Sequence, residues 1–107
     1  MSDSLHIAML LDFYGQLLTE RTRYLLEQYF SEDMSLKEIA ENESVTRQAV
    51  HDTIRRGEKA LVAYEDKLGL VERFMNHKQA LLEAIDAMDR QDFSRTRDIL
   101  QQLLQTL

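Results

Sequence analysis

The sequence contains no cysteine, no proline and no tryptophan, and it has only three glycines among its 107 residues. Without cysteine there can be no disulfide and no thiolate metal site, and the three histidines are too scattered to suggest a ligand set. The scarcity of proline and glycine leaves long stretches without helix breakers, and residues that favour helices are abundant. These features predict an all-α protein with no metal and no cofactor.

Long apolar runs are missing as well, so no segment of the sequence could span a membrane. The N-terminus carries acidic Asp3 where a signal peptide would have a basic region. Catalytic patterns are also absent: there is no Gly-rich phosphate loop, no Ser/His/Asp arrangement and no HExxH motif. We therefore expect a soluble protein of the cytoplasm that does not insert into membranes and is not an enzyme.

A helix-turn-helix pattern occupies residues 35–56. Ser35 and Glu38 have the spacing of a capping box, which predicts the start of a short helix. Residues 42–44 are polar and fit a turn, and Thr46 is the expected N-cap of a second helix. The inward apolar positions of the two helices are Leu36, Ile39, Ala40, Val50 and Ile54. Two helices that cross steeply in this way are typical of DNA-binding domains.

The outer face of the second helix carries side chains that suit nucleic acid. Arginine can bind guanine bidentately, glutamine can bind adenine, and arginine and threonine can also hold phosphates. A helix N-terminus adds free N–H groups near a phosphate. The predicted nucleic-acid-binding residues are Thr46, Arg47, Gln48, His51, Arg55 and Arg56. The alternative is that the motif only packs helices and binds no nucleic acid.

The charge of the chain is unevenly distributed. The net charge is −6, which weighs against non-specific nucleic-acid binding. Residues 1–43 carry 9 acidic and 3 basic groups, a net of −6, whereas residues 44–68 carry 4 acidic and 5 basic groups, a net of +1. Residues 69–107 have a net of −1. A weakly basic face is therefore confined to the second helix, and the acidic first third could instead meet a basic protein.

Two helices are predicted before the motif. The first covers residues 4–14 and is expected to end at Gly15. Leu5, Met9, Leu10 and Phe13 are predicted to share an apolar face, with Leu11 and Tyr14 beside it, and so wide a stripe predicts burial on more than one side. Tyr14 is expected in the core or an interface. Thr19 is the expected N-cap of the second helix. Outward Arg21 and Arg23 could touch a phosphate backbone, but we favour a solvated face.

The helical pattern continues past the motif without a breaker before Gly69. A further helix is expected over about 70–90, and a last one over 95–107 with Ser94 as N-cap. We therefore divide the chain into a helix-turn-helix domain, 1–68, and a helical extension, 69–107. The extension has more apolar faces than the domain needs, so we favour a homodimer formed through it over a monomer in which it folds back.

Several blocks of the sequence together resemble the YlxM family of small bacterial proteins. The blocks are Asp12-Phe13-Tyr14-Gly15, Leu17-Leu18-Thr19-Glu20, Ser35-Leu36, Glu38-Ile39-Ala40, Arg47-Gln48-Ala49-Val50 and Tyr64-Glu65 with Lys67-Leu68. The resemblance covers roughly residues 5–75, and its middle is similar to the domain with which sigma factors read the −35 promoter element. The sequence departs from the family at Glu43, usually bulky and apolar, and at His51, usually tyrosine.

The resemblance implies a cytoplasmic protein with a sigma-like helix-turn-helix that lacks a wing. The genes of this family lie beside those of the signal recognition particle GTPase and its receptor. Two hypotheses follow: a DNA-binding regulator of transcription that takes part in or regulates the signal recognition particle pathway, or a module that binds the particle's protein or RNA and not DNA. The resemblance also implies which positions would face a groove of the DNA, namely Thr46, Arg47, Gln48, His51 and Arg55.

Overall fold

The computed structural model describes residues 4–107, which form six α-helices and include no β-strand. The helices are α1 (Ser4–Tyr14), α2 (Glu20–Leu26), α3 (Leu36–Glu43), α4 (Arg47–Leu68), α5 (Leu70–Asp89) and α6 (Phe93–Gln105). A 3₁₀ turn (Gly15–Leu17) follows α1, and a π-helical turn (Glu27–Ser31) extends α2. The predicted all-α class is confirmed. None of the described helices is both long and apolar enough to cross a membrane.

The chain forms two compact units, and the boundary between them follows Gly69. In the first unit, α4 packs against α1, α2 and α3. The core of this unit consists of fully or nearly buried apolar side chains from all four helices and from the π-helical turn: Ile7, Leu10, Leu11, Tyr14, Leu25, Leu26, Phe30, Ile39, Ala40, Val50, Ile54 and Leu61. Since α4 contacts each of the other three helices, it is the central helix of the unit.

The buried face of α1 differs in part from the predicted one. Leu10, Leu11 and Tyr14 are buried as expected, but Ile7 is buried with them, whereas Leu5 and Phe13 lie on the more exposed side. The segment is apolar on most sides, so its periodicity does not identify the side that meets the core. Gly15 also differs from its predicted role, because it opens the 3₁₀ turn and does not adopt the left-handed conformation of a helix-ending glycine.

A close approach within the first unit brings α2 against α4 at Gly57. A Cβ atom on Gly57 would overlap Leu26 Cδ1 and would lie 2.8 Å from Thr22 Cγ2. Such distances are far inside van der Waals contact, so the two helices can approach this closely only because residue 57 lacks a side chain. Helix α4 finally ends at Gly69, which has the left-handed φ of 62° common at helix C-termini.

The second unit is a hairpin of two antiparallel helices, α5 and α6. Gln91 has a φ of 62° in the connecting turn, and Asp92 caps α6 by accepting a 3.1 Å hydrogen bond from the Arg95 N–H. The prediction of Ser94 as the N-cap is therefore wrong. Asp92 caps the helix because its carboxylate reaches the amide three residues later, and Ser94 already lies within the first helical turn.

Candidate nucleic-acid interface

The helix-turn-helix begins with the predicted capping box. The Ser35 hydroxyl accepts a 3.1 Å hydrogen bond from the Glu38 N–H, and the Glu38 carboxylate accepts one of 3.1 Å from the Ser35 N–H. Both bonds satisfy amides that the first turn of a helix leaves without carbonyl partners. The backbone bond, followed by the side-chain bond from Ser35, favours the charged carboxylate and lowers the pKa of Glu38 below its ordinary value.

This capping box has a pH dependence that can be measured. The lowered pKa of Glu38 means that its contribution to folding is present at neutral pH and is lost as the pH falls through the lowered pKa. Replacing Ser35 with alanine removes the hydroxyl but keeps the backbone N–H, so we expect the pKa of Glu38 to rise part of the way toward its ordinary value. A carboxyl-detected NMR titration of both proteins measures this. An unchanged pKa in Ser35→Ala would contradict it.

The turn between the two helices is short and held by hydrogen bonds. Ser44 adopts the left-handed conformation (φ 55°, ψ 40°), and the Val45 N–H donates a 3.1 Å hydrogen bond to the Ala40 carbonyl. The Thr46 hydroxyl then caps α4 by accepting a 3.0 Å hydrogen bond from the Ala49 N–H, as predicted. The predicted turn, 42–44, began too early because α3 continues to Glu43. These contacts set the angle at which α4 leaves α3.

The inner face of α4 determines which of its side chains are available for binding. Val50, Ile54, Gly57 and Leu61 are buried against the rest of the first unit. The predicted nucleic-acid-binding residues lie elsewhere on the helix or at its N-cap. The exposed ones among them are Thr46, Arg47, Gln48, Arg55 and Arg56. His51 is half-buried, and its Nδ1 is closed to solvent and lies 3.6 Å from an Asp52 carboxylate oxygen.

The exposed residues do not all share one direction. On a helix with about 100° per residue, Gln48 and Arg55 differ by only about 20°, and His51 lies about 60° from Gln48. Arg47 lies about 100° from Gln48 on the same side as His51, so Arg47, Arg55 and Gln48 together cover an arc of about 100°. Arg56 lies about 80° beyond Gln48 in the other direction and about 180° from Arg47, so it faces away from this arc. We call Arg47, Gln48 and Arg55 the α4 cluster.

An acidic residue that the sequence analysis left out lies beside the α4 cluster. Asp52 is exposed, and its carboxylate accepts a 2.9 Å hydrogen bond from the Gln48 side-chain amide. Gln48 must break this bond before its amide can pair with an adenine. The spacing of four residues between Gln48 and Asp52 on a helix was the signal that could have revealed the contact.

A groove of about 480 Å³ runs along the same side of α4, from His51 to Asp66. Tyr29 and Leu36 line it from the neighbouring elements, and Arg55 and Lys59 line it together with acidic Glu58 and Asp66. The groove is lined by apolar side chains and by charges of both signs. Within residues 4–107, no three or more His, Asp and Glu side chains come together as a metal site.

The two arginines before the motif are held by carboxylates. Arg21 lies 3.5 Å from Glu43, and Arg23 donates a 2.8 Å hydrogen bond to Glu27. Glu43, where related sequences were expected to carry an apolar residue, is therefore used to tie the end of α3 to α2. The side chains of both arginines are about half exposed or more. The favoured interpretation of a solvated face with surface ion pairs agrees with these contacts.

Comparison with known proteins gives a consistent result over the whole chain. Residues 1–105 match a family model described as UPF0122, "Putative helix-turn-helix protein, YlxM / p13 like". A UPF0122 protein of Desulforamulus reducens is 53% identical over 83 residues, which are 78% of this chain and 71% of the relative. One from Symbiobacterium thermophilum is 49% identical over 100 residues, 94% of each chain. One from Halalkalibacterium halodurans is 40% identical over 107 residues, all of this chain and 98% of the relative.

Proposed function

Because the chain belongs to the UPF0122 family of YlxM- and p13-like helix-turn-helix proteins, we propose that it binds double-stranded DNA and acts as a regulatory protein. The observation that carries the proposal is the geometry of the capped turn. Ser35 and Thr46 fix the starts of α3 and α4, and the first turns of α4 leave Arg47 and Gln48 exposed. A recognition helix binds bases through these N-terminal residues.

The hydrogen bonds of the interface suit this role. The Thr46 hydroxyl oxygen accepts a hydrogen bond from the Ala49 N–H. The proton of the hydroxyl remains available to donate to a phosphate oxygen. Arg47 and Arg55 supply the donors that guanine and phosphate require. The Asp52 carboxylate opposes them, so affinity per subunit should be modest. We propose that the protein acts as a homodimer, since two linked interfaces raise the overall affinity.

The proposal is tested by DNA binding at increasing salt concentration. We expect the protein to bind a random-sequence duplex, measured by fluorescence anisotropy, with an affinity that falls steeply as salt rises. Duplexes selected from a random library should bind more tightly. The combined change Arg47→Ala and Gln48→Ala should weaken binding to selected duplexes at least about tenfold, because each base contact contributes about 1–3 kcal/mol. Asp52→Ala should strengthen binding by removing a negative charge.

Two controls make this result specific. Arg90→Ala removes one positive charge from the end of α5, where Arg90 pairs with Asp86 at 3.2 Å, and it should leave DNA affinity nearly unchanged. Circular dichroism verifies that each variant is folded. If the Arg47 and Gln48 double variant binds selected DNA as tightly as the unmodified protein does, α4 is not the recognition helix.

A second candidate function is binding to the protein or the RNA of the signal recognition particle. The acidic first third of the chain favours it, since Asp12, Glu20, Glu32, Asp33 and Glu41 are all exposed. Such a surface suits a basic protein, and the α4 cluster could bind an RNA backbone as well as DNA. The salt titration therefore includes the particle RNA, alone and with its protein. Binding there, together with no binding to duplex DNA at low salt, would favour this candidate over the first.

A further inference from the structure

The most deeply buried residues in the seam of the α5–α6 hairpin are small, and half-buried Ile99 and Leu103 lie on the same face of α6. Ala84, Ala87 and Thr96 are buried there. The Thr96 hydroxyl donates a 3.0 Å hydrogen bond to the Asp92 carbonyl, and the Ala84 carbonyl lies 3.4 Å from the same hydroxyl. At the open end, Arg73 donates a 3.1 Å hydrogen bond to the Thr106 carbonyl. Small residues allow the helices to approach closely, but they bury little apolar area. The fully buried residues of the seam therefore contribute little to the stability of the second unit.

Large apolar side chains of the hairpin lie outside this seam. Seven of them are between 43% and 68% exposed: Leu81, Leu82, Ile85, Met88, Phe93, Leu100 and Leu104. Scattered exposed apolar residues are ordinary, but a contiguous group on one surface marks an association site. Whether these residues form one surface depends on the direction in which each helix presents them.

Helix geometry puts the exposed apolar residues of α5 and those of α6 on the same side of the hairpin. With about 100° per residue, the exposed apolar stripe of each helix is rotated from the buried seam residues of that helix in the direction of increasing residue number, by about 120° on α5 and about 60° on α6. Since α5 and α6 are antiparallel, as the contacts of Arg73 with Thr106 and of Ala84 with Thr96 require, the same direction of rotation brings both stripes to one side. We call this surface the hairpin face.

Two charged residues interrupt the α5 part of the hairpin face. Lys78 and Asp89 are both exposed. On an ideal helix they are the charged residues inside the arc of about 120° that Leu81, Leu82, Ile85 and Met88 cover. They have opposite signs and lie about three helical turns, roughly 16 Å, apart along the axis. Burying either alone would leave a desolvated charge without a counter-charge. A surface that covers this face must therefore supply a carboxylate opposite Lys78 and a cation opposite Asp89.

A second copy of the same face meets both requirements. We propose that two chains associate through their hairpin faces, with α5 antiparallel to α5 of the second copy, so that Lys78 of each faces Asp89 of the other. A two-fold axis between residues 83 and 84 gives both pairs at once and brings Leu82 of each copy against Ile85 of the other. This inference rests on the dimeric state proposed above and identifies the surface that forms the dimer.

Charge reversal tests the pairing on the full chain. We expect sedimentation over a range of protein concentrations to show a dimer for the unmodified protein. Lys78→Asp or Asp89→Lys alone should raise the dimer Kd at least about tenfold. Each change gives positions 78 and 89 the same charge, and the two-fold symmetry creates two such repulsive pairs in the interface. The combined change Lys78→Asp and Asp89→Lys should return the Kd to within about threefold of the original, which is about 0.7 kcal/mol. Glu83→Lys, on the polar side of α5, serves as the matched control and should have little effect.

The absence of cysteine allows an independent test of the register. The combined change Lys78→Cys and Asp89→Cys should give a covalent dimer on mild oxidation, because a disulfide requires Cα atoms within about 7 Å. Lys78→Cys alone should not, since its counterpart in the second copy lies about 16 Å further along the axis. Circular dichroism and DNA binding are measured on the same samples.

Three outcomes would overturn the inference. A monomer at every concentration would mean that the hairpin face is covered within one chain or by a different protein. A dimer whose Kd is unchanged by both single charge reversals would have to form through another surface. The same would follow if Lys78→Cys alone gave as much covalent dimer as the double cysteine variant. Failure of the DNA-binding proposal is distinguishable from all three, because it is read from the Arg47 and Gln48 variant and not from the oligomeric state.

Discussion

Replacing Tyr14 with alanine lowers the free energy of unfolding by about 3–5 kcal/mol, the usual cost of removing a buried aromatic side chain. Tyr14 is only 1% exposed, and its ring lies 6.0 Å from that of Tyr64. Its hydroxyl donates a 2.6 Å hydrogen bond to the carboxylate of Glu65. The side chain therefore joins α1 to α4 by packing and by a hydrogen bond. Urea unfolding followed by circular dichroism measures the loss.

A milder variant separates the two contributions of Tyr14. Tyr14→Phe keeps the ring but removes the hydrogen bond to Glu65, and we expect a loss of about 1.5–3 kcal/mol because the acceptor is charged. Tyr24→Phe, on the exposed side of α2, is the matched control and should cost almost nothing. All unfolding curves are recorded at one protein concentration, since association would add to the apparent stability. Equal stability of Tyr14→Phe and the unmodified protein would show that packing alone joins the two helices.

The second large effect is expected at Gly57, where helix propensity and packing act in opposite directions. In an exposed helix, replacing glycine with alanine stabilises by about 1 kcal/mol. At Gly57 the new methyl group would overlap Leu26, which is fully buried, and press on Thr22. Overpacking of this kind costs about 1–3 kcal/mol. We expect Gly57→Ala to lower the free energy of unfolding by about 1–2 kcal/mol, and Gly57→Val by about 3 kcal/mol, because it adds two more methyl groups.

A double-mutant cycle assigns this loss to the crossing of α2 and α4. Leu26→Ala alone should cost about 2–5 kcal/mol, because it opens a cavity in the core. In the Leu26→Ala background the methyl of Gly57→Ala has room, so the second change should cost little or be stabilising. If Gly57→Ala stabilises the unmodified protein instead, α2 moves aside at little cost and the crossing is less tightly packed than the distances indicate.

The local signals in the sequence were sufficient for the helix-turn-helix itself. The capping box at Ser35 and the caps at Thr19 and Thr46 were predicted because a cap depends on residues within one helical turn. Each of these caps is present in the structure. The continuation of α4 as far as Gly69 was predicted for the same reason, since nothing before that residue breaks a helix. Short-range rules of this kind are nearly independent of the rest of the fold.

Features that depend on a distant segment could not be predicted in the same way. The buried side of α1 was assigned only in part. Leu10 and Tyr14 were expected there, but Leu5 was expected in place of Ile7, because apolar residues surround that helix and only contact with the rest of the unit decides between the two. Gly57 has a low helix propensity, so the sequence alone gives no reason for a glycine there. The reason is the close contact with α2, which leaves no room for a side chain at residue 57. The π-helical turn at Glu27–Ser31 has no pattern of its own. Within the candidate site, His51 is half-buried because it lines the groove to which α3 and the π-helical turn also contribute.

The length of α4 gives the protein a mechanical property as well as a surface. Its 22 residues form one continuous helix, a rod of about 33 Å that starts at Arg47 and ends at Leu68. The buried face of α4 packs against α1, α2 and α3 along this length, so α4 cannot turn without breaking those contacts. Arg47 and Gln48 therefore keep a fixed orientation relative to the core, and the α4 cluster changes direction only when the whole first unit does.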